Sequence, residues 1–214
     1  MNYSVSSSSS SSSSSLSPDQ LHLLGKAEVF KLHGRDRAGR NVFLIVGKHF
    51  PARFVSTQAV NLYLKDKIFP FLKDGPFTLV YIHTDVHWTE NFPGISNLKA
   101  IYEFIPTTIK NNLKAVYFVH PSLQARLFFA TVGRLILGAE LYNKVKYVKR
   151  VEFLWEYVRR KEIELPEFVY DYDEKLEFCP VMDSGLESDY LRLFSASPSV
   201  DSAVSTYSSM RCFA

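Results

Sequence analysis

Two short segments constrain this chain more than anything else in it: Phe77-Thr78-Leu79-Val80-Tyr81-Ile82-His83 and Ala115-Val116-Tyr117-Phe118-Val119. Neither alternates between apolar and polar residues, so a strand made from either has two greasy faces to cover. That requirement is met in parallel sheets, where crossover connections lay helices over the strands. The sequence between and around these runs supplies such connections. Ser56 or Thr57 can cap a helix running to about Phe69, with Val60, Tyr63, Leu64 and Ile68 on one face and Pro70 as its stop. Asn97 to Ile105, ended by Pro106, reads as a second helix, and Thr107 or Thr108 as the start of a short turn. Gln124 to Leu137 reads as a long apolar helix, followed by a last strand from Lys144 to Val148. Val29–His33 and Asn41–Val46, joined by the glycine-bounded turn 34–39, read as a hairpin. Glu152 to Arg160 predicts a closing helix with Val151, Leu154, Trp155 and Val158 inward. Alternation of this kind predicts an α/β domain on a mixed, mostly parallel sheet.

The ends of the chain read differently. Ser6 to Ser15 are all serine, and serines recur from about Met182 onward. Segments with so little apolar surface to bury cannot offset the entropy of ordering. The expected organisation is a disordered tail over residues 1–25, a folded domain over 26–178 and an acidic, Ser-rich, mostly disordered tail over 179–214. Residues 1–161 carry 22 basic and 11 acidic side chains, residues 162–214 only 3 basic against 11 acidic. The positive part suits an anionic partner such as a membrane surface, or the acidic segment itself folded back on it. No apolar stretch has the length to span a bilayer; Leu127 to Tyr142 is the nearest, and it carries Arg134 and Glu140. Cys179 and Cys212 make no disulfide framework or metal pattern, and no secretory signal opens the chain. The expectation is a cytoplasmic protein, able to associate peripherally with membranes.

The motifs of catalysis are missing. There is no phosphate-cradling glycine loop and no G-x-S-x-G elbow among the 9 glycines. The chain is therefore expected not to be an enzyme and to need no cofactor. His83, Asp85, His87 and His120 could in principle surround a metal of a hydrolase. The competing reading is that His83 and His120, each closing a buried strand, hydrogen-bond across the strand ends and lock the loops. Leu127, Phe128, Phe129, Ala130, Val132, Leu135, Ile136 and Leu137 cover almost every face of one helix, with Gly133 and Gly138 punctuating it as hinges. Such a helix is buried, covers an apolar cavity, or meets membrane. Lys144 and Lys146 share one side of the last strand and could attract phosphates, or protect a sheet edge. No RNA-binding strand or DNA-reading helix accompanies the charge, which sets nucleic acid aside.

The segments Gly34-Arg35-Asp36-Arg37-Ala38-Gly39-Arg40-Asn41-Val42, Leu79-Val80-Tyr81-Ile82-His83 and Asn112-Leu113-Lys114-Ala115-Val116-Tyr117-Phe118-Val119-His120-Pro121 resemble the divergent CRAL-TRIO lipid-binding domain family, as does Asn143–Val148. Within it, the ganglioside-induced differentiation-associated and BCH-like branch is the nearest match, over about residues 26–178. The resemblance implies a mixed sheet with helices on one side and an apolar groove gated by a mobile helix around Leu127–Leu141. It also implies binding or exchange of phosphoinositides or other lipids without enzymatic chemistry. An apolar ligand is then expected over Val80, Ile82, Val116 and Phe118, beneath Phe128, Phe129, Val132 and Ile136, with Lys144 and Lys146 on its headgroup. Polyserine stands where lipid-transfer members carry a helical bundle. The alternative expectation is therefore a filled domain acting as a scaffold for small GTPases or their regulators.

Overall fold

The computed structural model describes residues 18–178. The polyserine run, Cys179, Cys212 and the Ser-rich stretch after Met182 lie outside the described residues. In chain order the elements are α1 (Pro18–Lys26), β1 (Phe30–Arg35), β2 (Asn41–Val46), α2 (Thr57–Tyr63), α3 (Phe69–Leu72), β3 (Phe77–Ile82), α4 (Trp88–Asn91), α5 (Ile95–Phe104), α6 (Thr107–Asn112), β4 (Leu113–Val119), α7 (Leu123–Phe128), α8 (Arg134–Lys144), β5 (Val145–Val148), α9 (Val151–Leu154) and α10 (Glu167–Phe178). Short 3₁₀ turns follow β2 and precede α10, and wide π turns occupy Leu64–Ile68 and Phe129–Gly133.

The five strands lie side by side in sequence order. β1 and β2 are antiparallel, and β2 to β5 are all parallel. Stepping one strand at a time in the same direction with right-handed crossovers puts every connection on the same face of the sheet. The packing follows: Val60 of α2, Leu72 of α3 and Ile109 of α6 share one core with Phe43, Phe77 and Val116. The opposite face is covered by the C-terminal segment, where Val151, Leu154, Val158 and Val169 close over Leu44, Val80 and Val119. Helices thus lie on both faces, rather than on one as the resemblance implies.

Four local expectations are revised. Residues 18–25, placed with the tail on composition, form α1 with Leu24 fully buried, and Gln20 Oε1 accepts from the backbone N–H and hydroxyl of Ser56 at the start of α2. Pro70 does not stop its helix: the π turn Leu64–Ile68 widens the coil, and Pro70 falls in the first turn of α3, where no N–H is required. The closing helix is only Val151–Leu154, because the β1–β2 hairpin captures the chain beyond it. There Arg37 N–H donates to Tyr157 O and Arg159 N–H to Arg35 O. The acidic segment is in part helical, as α10: Arg150 pairs with both Asp173 and Glu177, so the acidic face does fold back on the basic body.

The hairpin carries a sealed ionic knot. Asp36, 1% exposed, accepts from the Arg40 backbone N–H at 2.8 Å, the Arg40 guanidinium at 2.6 Å and the Thr78 hydroxyl at 2.8 Å. Burial alone would raise this carboxyl's pKa; those three donors outweigh it and hold the pKa below the usual range.

Candidate functional site

Strand geometry sorts the sheet's side chains onto two faces. Registered partners in parallel strands share a face, so Phe43 and Ile45 of β2, Leu79 and Tyr81 of β3, and Val116 and Phe118 of β4 form one surface. Over that surface lies a cavity of about 320 Å³. Its floor is these strand residues, and its roof includes Phe128, Phe129, Leu137 and Leu141. Its far walls come from α2, α3, α5 and α6, through residues such as Val60, Leu72, Ile101 and Ile109.

The expected site residues divide accordingly. Val116, Phe118, Phe128 and Phe129 line the cavity. Val80 and Ile82 do not: both are fully buried on the other face, in the core closed by α9 and α10. The correction is one residue of strand parity. Leu79 and Tyr81 occupy the cavity face of β3, because Leu79 pairs with Val116 and Tyr81 with Phe118. Val132 and Ile136 are partly buried in the roof segment but do not reach the cavity wall. The π turn Phe129–Gly133 and the break at Gly138 (φ 78°, ψ 158°) rotate the segment, so that Leu137 and Leu141 point inward in their stead. Lys144 ends α8 and pairs with Glu140 at 2.7 Å. Lys146 lies over the Tyr157 ring at 5.0 Å and the Tyr117 ring at 5.8 Å. Tyr117 belongs to the opposite core, and neither lysine is among the residues that line the cavity.

The roof is an aromatic assembly. Phe128 meets Trp88 edge-on at 5.5 Å and Phe92 at 5.6 Å, while Phe129 meets Phe118 at 5.0 Å. Edge-to-face pairs of this kind hold rings in defined orientations without a hydrogen bond. Ser122 caps α7 by accepting the Ala125 N–H, and this fixes where the roof begins. The outer side of the same segment is apolar too: Leu123, Leu127 and Leu135 are 38%, 58% and 86% exposed. The expectation of a helix apolar all round is thus met by two functions of surface, an inner one on the cavity and an outer one on solvent.

The histidines are distributed between fastening and lining. His120, in the left-handed conformation (φ 50°), contacts the Thr84 hydroxyl through Nδ1 at 2.8 Å and Asp173 through Nε2 at 3.0 Å. Asp173 also accepts the Val151 N–H at 2.8 Å. The hydroxyl–imidazole–carboxylate chain has the elements of a nucleophilic triad, but Thr84 is 1% exposed and has no space beside it for a substrate. Its effect is to fasten α10 to the ends of β3 and β4. His83 Nε2 lies 3.2 Å from Ser122 Oγ, also across the strand ends, as expected. Asp85 pairs with Lys48 at 3.0 Å. Among the described residues no group of three or more His, Cys, Asp or Glu is placed to hold a metal.

Three contributors to the site escaped sequence reasoning. Trp88 and Phe92 stand in what reads as a polar Pro/Gly loop, yet both line the cavity. The available signal was the density of large aromatics in a segment that turn chemistry alone would leave polar. Gly47 was the other: a Cβ there would sit 2.5 Å from the Tyr81 hydroxyl and 2.8 Å from Val86, so only glycine lets β2 end against the cavity wall.

Comparison with known proteins agrees with this geometry. The family model described as the divergent CRAL/TRIO domain matches residues 39–175. Ganglioside-induced differentiation-associated protein 2 of Xenopus tropicalis is 33% identical over 158 residues, covering 72% of this chain and 31% of that protein. The protein of the same name in Mus musculus is 30% identical over 147 residues, covering 66% of this chain and 28% of its own length. A Drosophila melanogaster GDAP2 homolog is 32% identical over 143 residues, covering 65% and 25%. The chain therefore spans between a quarter and a third of the length of these relatives. No helix among the described residues is long and apolar enough to cross a membrane. With the family model running from the β1–β2 turn through the sheet and its crossovers into α10, the chain belongs to the divergent CRAL/TRIO domain family, a lipid-binding family by its fold.

Proposed function

We propose that the domain is a non-enzymatic lipid-binding module that takes the hydrocarbon part of its ligand into the cavity between the sheet and the Ser122–Lys144 roof. The observation that carries this reading is the cavity itself, about 320 Å³ lined almost wholly by apolar side chains. A space of that size is at the lower end of the roughly 300–1,000 Å³ typical of small-molecule sites. Apolar surface removed from water contributes about 25 cal/mol per Å², so an alkyl chain would be held mainly by its own burial. A filled domain serving only as a scaffold for small GTPases would have no use for such a space.

Peripheral membrane association has a separate support. Leu123, Leu127 and Leu135 project from the roof with Arg134 exposed among them, an arrangement that suits an interface of hydrocarbon and anionic headgroups. The π turn and the Gly138 break give the roof two places to yield as a ligand enters. Native mass spectrometry of the chain purified from cells tests the reading. A co-purifying lipid, or capture of lipid from liposomes, is expected; a protein that carries none and captures none would overturn it.

A further inference from the structure

The cavity wall carries one formally charged side chain, Lys110 in the last turn of α6. Its ammonium lies over the ring of Tyr102, a residue of α5 that lines the same wall, at 4.5 Å from the ring centre. Among the described residues Lys110 has no ion pair and no hydrogen bond. Its ammonium is not sealed off: the side-chain polar atoms that are both buried and unpartnered belong to His49, Asn61, His83 and Trp88. A ring face attracts one side of an ammonium and leaves its N–H donors unspent.

The charges around Lys110 are unbalanced in one direction. Glu140 of α8 is held by Lys144 at 2.7 Å, and the field of Lys114 acts on it as well. Glu140 in turn reaches Tyr102, whose hydroxyl is kept protonated to higher pH by burial and by that carboxylate. Glu103, beside Tyr102 in sequence, faces Lys99 at 3.7 Å. The corner where α5, α6 and α8 meet therefore sets three lysines, Lys110, Lys114 and Lys144, against the one carboxylate of Glu140. The other end of the cavity has no charge to offer. There the wall is Trp88, Phe92 and Phe128 with Tyr81 and His83. Burial lowers the His83 pKa to about 4 and raises that of Tyr81, so both are neutral at physiological pH. Asn91 spends its amide on Lys48 O and Phe50 O. A charged head group at that end would be buried without compensation.

We infer that the cavity takes a single-chain lipid with an anionic head, a carboxylate or a phosphate monoester, seated against Lys110 at the amino end of β4. Its tail runs over Leu113, Val116 and Phe118 toward Phe128 and Trp88. This rests on the lipid-binding reading above and adds the class of head group, the residue that selects it and the direction in which the ligand lies. A cavity of about 320 Å³, near the small end for ligand sites, suits one chain better than two. A hydrogen bond from an ammonium to an anion is about twice as strong as one between neutral groups, so the head sets the preference while the tail supplies burial.

The test is isothermal titration calorimetry on the full chain at neutral pH, with decanoate, decyl phosphate, decanol and inorganic phosphate, the amphiphiles kept below their critical micelle concentrations. The tighter of decanoate and decyl phosphate is expected to bind about tenfold more tightly than decanol, the low end for one charge-assisted hydrogen bond, and inorganic phosphate is expected not to bind. Lys110→Met keeps the stem and Lys110→Gln keeps a donor; each is expected to bring the anionic probe to the level of decanol and leave decanol within about twofold. Thermal melting checks that both variants fold. Lys146→Met, away from the cavity, is expected to change nothing. Decanol binding as tightly as both anions, inorganic phosphate matching decyl phosphate, folded Lys110 variants that keep the preference, or an equal loss in Lys146→Met would overturn this inference and leave the lipid-binding reading standing. Failure of all three chain-bearing probes, with no lipid co-purifying, would overturn both.

Discussion

His83 should make the domain sensitive to mild acid, and the size of the effect follows from its surroundings. Burial lowers its folded-state pKa to about 4, while in the unfolded chain it returns to about 6.5. Between those values the unfolded chain holds a proton that the folded chain does not, so stability rises with pH through this window and falls as pH drops. The contribution is complete above pH 6.5 and is lost progressively toward pH 4. Going from pH 7.5 to pH 5.0, this one residue accounts for about 2 kcal/mol of lost stability, out of a full span of about 3 kcal/mol. Urea unfolding at the two pH values, on the parent chain and on His83→Phe, isolates the effect. His83→Phe also loses the contact with Ser122 Oγ, so its absolute stability differs; the quantity to compare is the change with pH. His49, whose pKa is also lowered by burial, titrates in both proteins and cancels. The parent should lose about 2 kcal/mol more than His83→Phe between pH 7.5 and 5.0. Equal losses in the two proteins would mean that His83 is hydrated in solution and that the cavity wall is wet.

Other perturbations separate the two faces of the sheet. Leu79→Phe, which intrudes on the cavity, should lower lipid capture with little change in the urea midpoint, whereas Val80→Ala should cost about 2 kcal/mol and leave capture intact. Asp36→Ala, which strands the Thr78 hydroxyl and the Arg40 N–H groups, should lower unfolding free energy by about 3 kcal/mol in chemical denaturation. Gly47→Val should destabilise by about 1–3 kcal/mol in thermal melts, because its side chain collides with Tyr81 and Val86. Leu135→Ser should leave stability within about 0.5 kcal/mol while reducing co-sedimentation with anionic vesicles.

The strand order was legible because its signals are local. The apolar runs Phe77–His83 and Ala115–Val119 could only be covered on both sides, and the helical spacing between them supplied the cover. Which face each residue takes was not legible. In a strand apolar on both faces, parity carries no compositional mark, and the register that fixes it runs through an irregularity between Phe77 and Thr78 where β3 meets β4. Thus Val116 and Phe118 fall on the cavity face, and Val80 and Ile82 lie one step out of phase with it. Along the roof, 3.6-residue periodicity puts Val132 and Ile136 inward, but a π turn and a glycine break shift the phase by amounts no periodic template contains. Lys144 and Lys146 failed for a related reason: the strand begins one residue later than read, so the two do not share a strand face. The locking role of His83 and His120 was recoverable, since both close buried strands and an imidazole there needs partners.

Because all crossovers crowd one side, the other side depends on a single late stretch of chain. Synthesis must deliver Val151 to Val169 before the valine wall of β2, β3 and β4 has any shelter. A ribosome that has released only the strands presents a sticky plank, and any shortened version ending before α10 would invite aggregation even though every residue lining the apolar cavity is already present.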